Sequence, residues 1–263
     1  MRLLAVLGLL SDSHSMASWL IERARQEQHP AALADTLLGS CNQSWIVRDI
    51  KALRDRAQSM AELAAEQGLP YFSARACDML GWVAVTEGRC AEGIVRIELS
   101  LKALRQAGNV LHTSQIEAML SDSHLLAEET DAALAHAEEA LQIAAHTGEN
   151  WLKADLHRRL GGVLLRRGEV PRGEAELCCA LDVARSQSAR LFELRAARDL
   201  ARLRRDQGRL ADAHSLLAPV YQLFSEGFAF PDLVEAQALL EELDRVCARV
   251  TPVRPEASIP LAM

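Results

Sequence analysis

The chain has 263 residues, enough for one large domain or a repeat array. Hydrophobic residues make up 49% of it but aromatics only 4%, a balance dominated by Ala and Leu that suits helices packed closely through small side chains. A net charge of −7 argues against nucleic acid as the main partner, and no stretch approaches the length of apolar chain that a membrane helix needs.

In chain order, Met1-Arg2 is followed by the apolar run LLAVLGLL and then SDSHSMAS. Two readings apply: a short secretory leader within residues 1–17, or a helix belonging to the repeat described next, which absorbs the run. The cysteines are Cys41, Cys77, Cys90, Cys178, Cys179 and Cys247. They form no C-x-x-C and no zinc spacing, so the expectation is reduced thiols in a cytoplasmic protein, with no metal and no cofactor.

From residue 79 the chain repeats without a gap at a period of 40. MLGWVAVTEGRCAEGIVRIELSL, MLSDSHLLAEETDAALAHAEEAL, RLGGVLLRRGEVPRGEAELCCAL and DLARLRRDQGRLADAHSLLAPVY begin at 79, 119, 159 and 199. A leucine column (Leu80, Leu120, Leu160, Leu200) is followed by a small one (Gly81, Ser121, Gly161, Ala201). A turn column (Gly88, Glu128, Gly168, Gly208) and a second small column (Gly93, Ala133, Gly173, Ala213) come after. The turn glycines suit left-handed backbone at a helix end, and the facing small columns let two antiparallel helices approach. A hairpin of this kind cannot bury both its faces alone, so hairpins stack.

The pattern predicts an all-α helical-hairpin solenoid of about five hairpins. A truncated first hairpin spans 1–29, the array 30–229, a C-terminal capping helix 230–249 with Pro231 in its first turn, and a disordered tail 250–263. The apolar, uncapped N-terminal end predicts self-association into a homodimer.

These small-column hairpins resemble tetratricopeptide (TPR) repeats, with a period of 40 in place of 34. The stretch from ELRAARDLARLRRDQG to PDLVEAQALLEEL (193–243), and GENWLKADLHRRLGGVLL (148–165), resemble the C-terminal repeat region of bacterial multidomain signalling ATPases. Those are of the adenylate/guanylate cyclase-like or transcriptional-regulator type. The resemblance implies a repeat module from such a system. The phosphate-cradling G-x-x-x-x-G-K-[ST] is missing, so the resemblance carries no nucleotide chemistry to this chain.

LSDSH occurs at 10–14 and at 120–124. Adjacent residues of one helix point in different directions, whereas a Ser/His/Asp site needs side chains converging from separate places. The copies lie 110 residues apart, out of phase with the repeat. Ser121 is therefore read as a packing residue, and the chain as no enzyme.

The first helix of each hairpin is expected to line the concave groove. Positions six and three before the small column, and one and four after it, give Arg195, Arg198, Arg202 and Arg205 in the last repeat. The repeat before contributes Arg158, and earlier ones Asp78 with Trp82, and Trp45. Arginine forks suit carboxylates, and tryptophan anchors an interface. The sequence thus predicts a non-catalytic protein–protein interaction module binding an acidic partner segment in the groove. A solvated arginine face paired with Glu193, Asp199 and Asp206 is the plainer alternative. A regulatory fragment of a cyclase- or ATPase-type protein and a self-associating scaffold are the other functional readings.

Overall fold

The computed structural model describes residues 1–250, and every regular element among them is helical. The helices are α1 (Arg2–Val6), α2 (Leu10–Gln26), α3 (Pro30–Val47), α4 (Ile50–Gln67), α5 (Pro70–Thr86), α6 (Cys90–Gln106) and α7 (Thr113–Leu126). They continue with α8 (Thr130–Thr147), α9 (Lys153–Arg166), α10 (Val170–Ser186), α11 (Arg190–Asp206), α12 (Leu210–Tyr221) and α13 (Pro231–Val250). A 3-10 turn at Asn150–Leu152 leads into α9. The expectation of an unstructured tail falls on 250–263, of which all but Val250 lie outside the described residues.

The backbone follows the repeat more regularly than the side chains do. Left-handed residues recur every twenty positions: Gly8, Gln28, Arg48, Gly68, Gly88, Gly108, Glu128, Gly148, Gly168, Ser188 and Gly208. The same turn geometry therefore extends back to residue 8, where the residue columns have faded. Local chemistry starts the helices in turn. Pro30, Pro70 and Pro231 occupy first turns, and the Asp49 carboxylate accepts from the Ala52 N–H at 3.0 Å.

Within a hairpin the small columns meet as the spacing predicts. A Cβ on Gly93 would lie 2.5 Å from the Gly81 carbonyl oxygen, and one on Gly161 would lie 3.0 Å from that of Gly173. Ser121 fills the same place in the next hairpin, fully buried, and its hydroxyl donates to the Ala133 carbonyl at 2.8 Å. The LSDSH serine is thus a packing residue whose one polar atom is satisfied.

The odd-numbered helices α3 to α13 line the inside of the superhelix, each packed on the next odd one. The curvature is tight enough to bring the two ends together. Gly8 abuts Phe224, Gly227 abuts Leu10, and the Ser11 N–H donates to Glu226 at 3.0 Å. α1 lies across the interior, touching α3 on one side and α11 on the other, and the Arg2 guanidinium stacks 4.3 Å from the Trp151 ring.

Candidate functional site

Inside the closed superhelix, the middle of the odd-numbered helices carries a buried polar layer. Arg75 is fully buried beside Asp78, 3.2 Å away, and the Asp78 carboxylate accepts from the Ser100 hydroxyl at 2.8 Å. The Gln115 side-chain amide donates to the Asn42 side-chain oxygen Oδ1 at 3.0 Å. Burial pushes the Asp78 carboxyl up to about 6 even with Arg75 and Ser100 beside it. Arg75, Asp78 and Gln115 occupy the first two of the four columns expected to face the groove, and Asn42 the third. They are buried rather than open to a groove, and the same columns are buried in the later repeats at Asp155, Arg195 and Arg198.

Between the C-terminal ends of α3, α5 and α7, the middle of α9 and α11 and the start of α13, the interior opens into a cavity of about 560 Å³. Trp45 and Trp82 form its apolar wall. Arg48, Arg158, Arg159, Arg195, Arg198 and Arg202 line it, against the carboxylates of Asp122, Asp199, Asp232 and Glu235. Asp155, fully buried behind, is a fifth carboxylate, and accepts from Arg158 at 2.7 Å and Arg159 at 2.9 Å. Six arginines thus meet five carboxylates.

The pairing is uneven. Arg195 donates to both Asp232 oxygens, at 3.0 and 2.7 Å, and to the Ile46 carbonyl. Arg198 donates to Asp232 at 3.1 Å and to Glu235 at 2.7 Å. Arg159 donates to Asp122 as well as Asp155 and lies over the Trp45 ring at 5.0 Å. The Arg202 guanidinium makes no hydrogen bond among the described residues, and its nearest carboxylates, Asp199 and Glu235, are each 3.6 Å away.

Titration directions follow this geometry. Burial alone would raise Asp232, but Arg195, Arg198 and Arg48 hold its carboxyl well below the usual carboxylate range. Burial and the neighbouring Arg198 cation hold Arg202 below the ordinary arginine value, and burial with Arg195 and Arg48 does the same to Arg159. With six arginines against five carboxylates, the cavity carries positive charge that its own carboxylates do not fully offset.

Of the side chains singled out in the sequence, the structure brings Trp45, Trp82, Arg158, Arg195, Arg198 and Arg202 to one cavity. Arg205 lies outside it, bound to Asp206 and Glu242, and Asp78 sits in the buried layer on Arg75. Asp199 and Asp206 do pair with the stripe, whereas Glu193 turns to Arg185 at 2.9 Å. Arg48, Arg159, Asp232 and Glu235 were not picked out by spacing. Glu235 and Glu242 continue the groove columns of Arg195 and Arg202 by 40 residues, so extending the period into the last helix would have found both.

Comparison with known proteins agrees with this architecture. No family model matches the chain. An uncharacterized protein of Rhizobium meliloti (strain 1021) is 25% identical over 197 residues, 74% of this chain, and the match spans 19% of that protein's length. Among solved structures, the chain is similar to NprR in complex with its cognate peptide NprX, at 16% identity and a TM-score of 0.62, covering 94% of this chain and 71% of that one. TPR-like repeats of a Podospora anserina putative kinesin light chain match at 17% identity and a TM-score of 0.53, covering 68% of this chain and 88% of that one. Fold and register together define a TPR-like helical-hairpin solenoid.

Proposed function

We propose that the chain is a non-catalytic interaction module of a bacterial signalling or transcription-regulatory system, which receives an acidic protein or peptide segment in its interior cavity. The observation that carries the reading is the incompletely compensated arginine cluster beside two tryptophans, with the Arg202 guanidinium at its edge making no hydrogen bond among the described residues. Arginine forks and a flat apolar wall are the donors and anchor that a carboxylate-bearing segment uses. A cavity of about 560 Å³ is in the range that takes a compact ligand or a few residues of chain. The similar fold of NprR, solved with a peptide, supports a peptide partner.

The five described cysteines are free thiols, which supports action in the cytoplasm. Among the described residues, no helix is long and apolar enough to cross a membrane. Self-association is the second reading, favoured by the exposed Leu3, Met16 and Trp19 on α1 and α2.

The test is binding of a fluorescein-labelled, C-terminally amidated hexaglutamate peptide, followed by anisotropy. Wild type is expected to bind it and to ignore hexaglutamine. Arg202→Glu is expected to lose the binding while keeping its helical circular dichroism. Equal binding by wild type and Arg202→Glu would overturn the cavity as the site.

A further inference from the structure

The cavity already holds one carboxylate placed where an incoming acid would sit. Glu235, in the second turn of α13, accepts from Arg48 at 2.7 Å and from Arg198 at 2.7 Å, with Arg202 3.6 Å away. One carboxylate is thus shared by three of the six lining arginines, which come from the α3–α4 turn and from α11. Its surroundings differ from those of its neighbour Asp232. The Asp232 side chain is 2% exposed and bound on both oxygens, so it is locked into the fold. The Glu235 side chain is 31% exposed at the cavity edge, and swinging it into water leaves no buried group without a partner.

We propose that Glu235 is an internal competitor: it occupies the anion position of the cavity, and an acidic ligand binds by replacing its carboxylate on Arg48, Arg198 and Arg202. This rests on the acidic-ligand reading above and adds the residue that sets its affinity. The exchange costs little on charge grounds because the same arginines meet one carboxylate before and after it. A neutral ligand offers no such replacement and would leave Arg48 and Arg198 with one carboxylate fewer, so Glu235 also makes the site selective for acids. Arg48, in the α3–α4 turn, bonds Glu235 at 2.7 Å and Asp232 at 3.5 Å on α13, so the same exchange removes the shorter of its two bonds to the last helix.

The test uses the full chain and the amidated hexaglutamate probe, with affinity read by anisotropy at fixed salt. Glu235→Gln is expected to bind about tenfold more tightly than wild type, the equivalent of one charge-assisted contact no longer competed away. Glu242→Gln makes the same change in net charge on the same helix, next to Arg205 and outside the cavity, and is expected to match wild type. Glu235→Asp, which keeps the charge on a shorter arm, is expected to fall between wild type and Glu235→Gln, and serves if the amide variant melts early. Equal or weaker binding by Glu235→Gln while wild type binds would overturn the competitor role and leave the acidic-ligand reading standing. A rise of the same size in Glu242→Gln would also overturn it, as a general charge effect. No binding by either wild type or Glu235→Gln would overturn both.

Discussion

Arg195 and Asp232 form a buried two-pronged ion pair that ties α11 to α13, and the same guanidinium reaches across to the Ile46 carbonyl at the end of α3. One side chain therefore joins the last complete hairpin, the final helix and the first complete hairpin. Breaking such a pair from one side strands a charge away from water. Asp232→Ala is expected to cost about 3–5 kcal/mol, measured as a lower urea midpoint at pH 7. Replacing both partners, as Arg195→Met with Asp232→Leu, is expected to recover most of that loss.

Acid should reveal the same pair. The Asp232 carboxyl titrates well below its unfolded value, so the folded state binds this proton less readily than the unfolded state does. Its contribution is fully present above about pH 4 and is lost as the pH falls below that. His112 acts in the same direction at higher pH. Burial, with Arg75 and Arg2 nearby, brings it down to about 4, so it opposes acidification between about 6.5 and 4. Asp78, raised to about 6, works the other way: it takes up its proton first in the folded state and adds stability as the pH falls through 6. Urea titrations should show the gap between wild type and Asp232→Asn at its widest above pH 5 and closing below pH 4. A gap independent of pH would contradict the assignment.

Two glycines separate close packing from mere sequence pattern. Gly93→Ala places a Cβ 2.4 Å from Val85 Cγ2 and 2.5 Å from the Gly81 carbonyl oxygen, and is expected to destabilise by about 1–3 kcal/mol. Gly162, in the middle of α9, has nothing within 4 Å of its virtual Cβ. Gly162→Ala is expected to stabilise by about 0.5–1 kcal/mol. Thermal melts of the two variants should move in opposite directions.

Glu128 stands in the turn column with φ of 63° where Gly88, Gly168 and Gly208 hold the same place. An L side chain pays for left-handed backbone, so Glu128→Gly is expected to raise stability by about 1 kcal/mol. A loss of stability would show that the Glu128 side chain makes a compensating contact.

Much of this fold is legible in the sequence because backbone geometry and close packing repeat together. The small columns at Gly81, Gly93, Ser121 and Gly161 mark where two helices touch, and nothing larger fits there. The start of the chain was harder to read because Gln28 and Arg48 hold left-handed turns without a glycine to announce them. For the cavity, helical spacing identified Arg195, Arg198 and Arg202 together with Trp45 and Trp82. Spacing along single helices gave no sign that the superhelix closes on itself. That closure buries Arg195, supplies Arg48 from the opposite end, and sets Asp232 and Glu235 against the arginine stripe.

The central claim is that acidic ligands enter the cavity bounded by Trp45 and Trp82. The other two tryptophans lie elsewhere, Trp19 being 62% exposed on α2 and Trp151 packed under Arg2 beside α1. The most direct measurement is 19F NMR of the 5-fluorotryptophan-labelled chain, with each resonance assigned by Trp→Phe substitution and followed during titration with amidated hexaglutamate. The account predicts saturable shifts at Trp45 and Trp82 while Trp19 and Trp151 stay in place. Shifts confined to Trp19 or Trp151, or no saturable shift at Trp45 and Trp82, would contradict it.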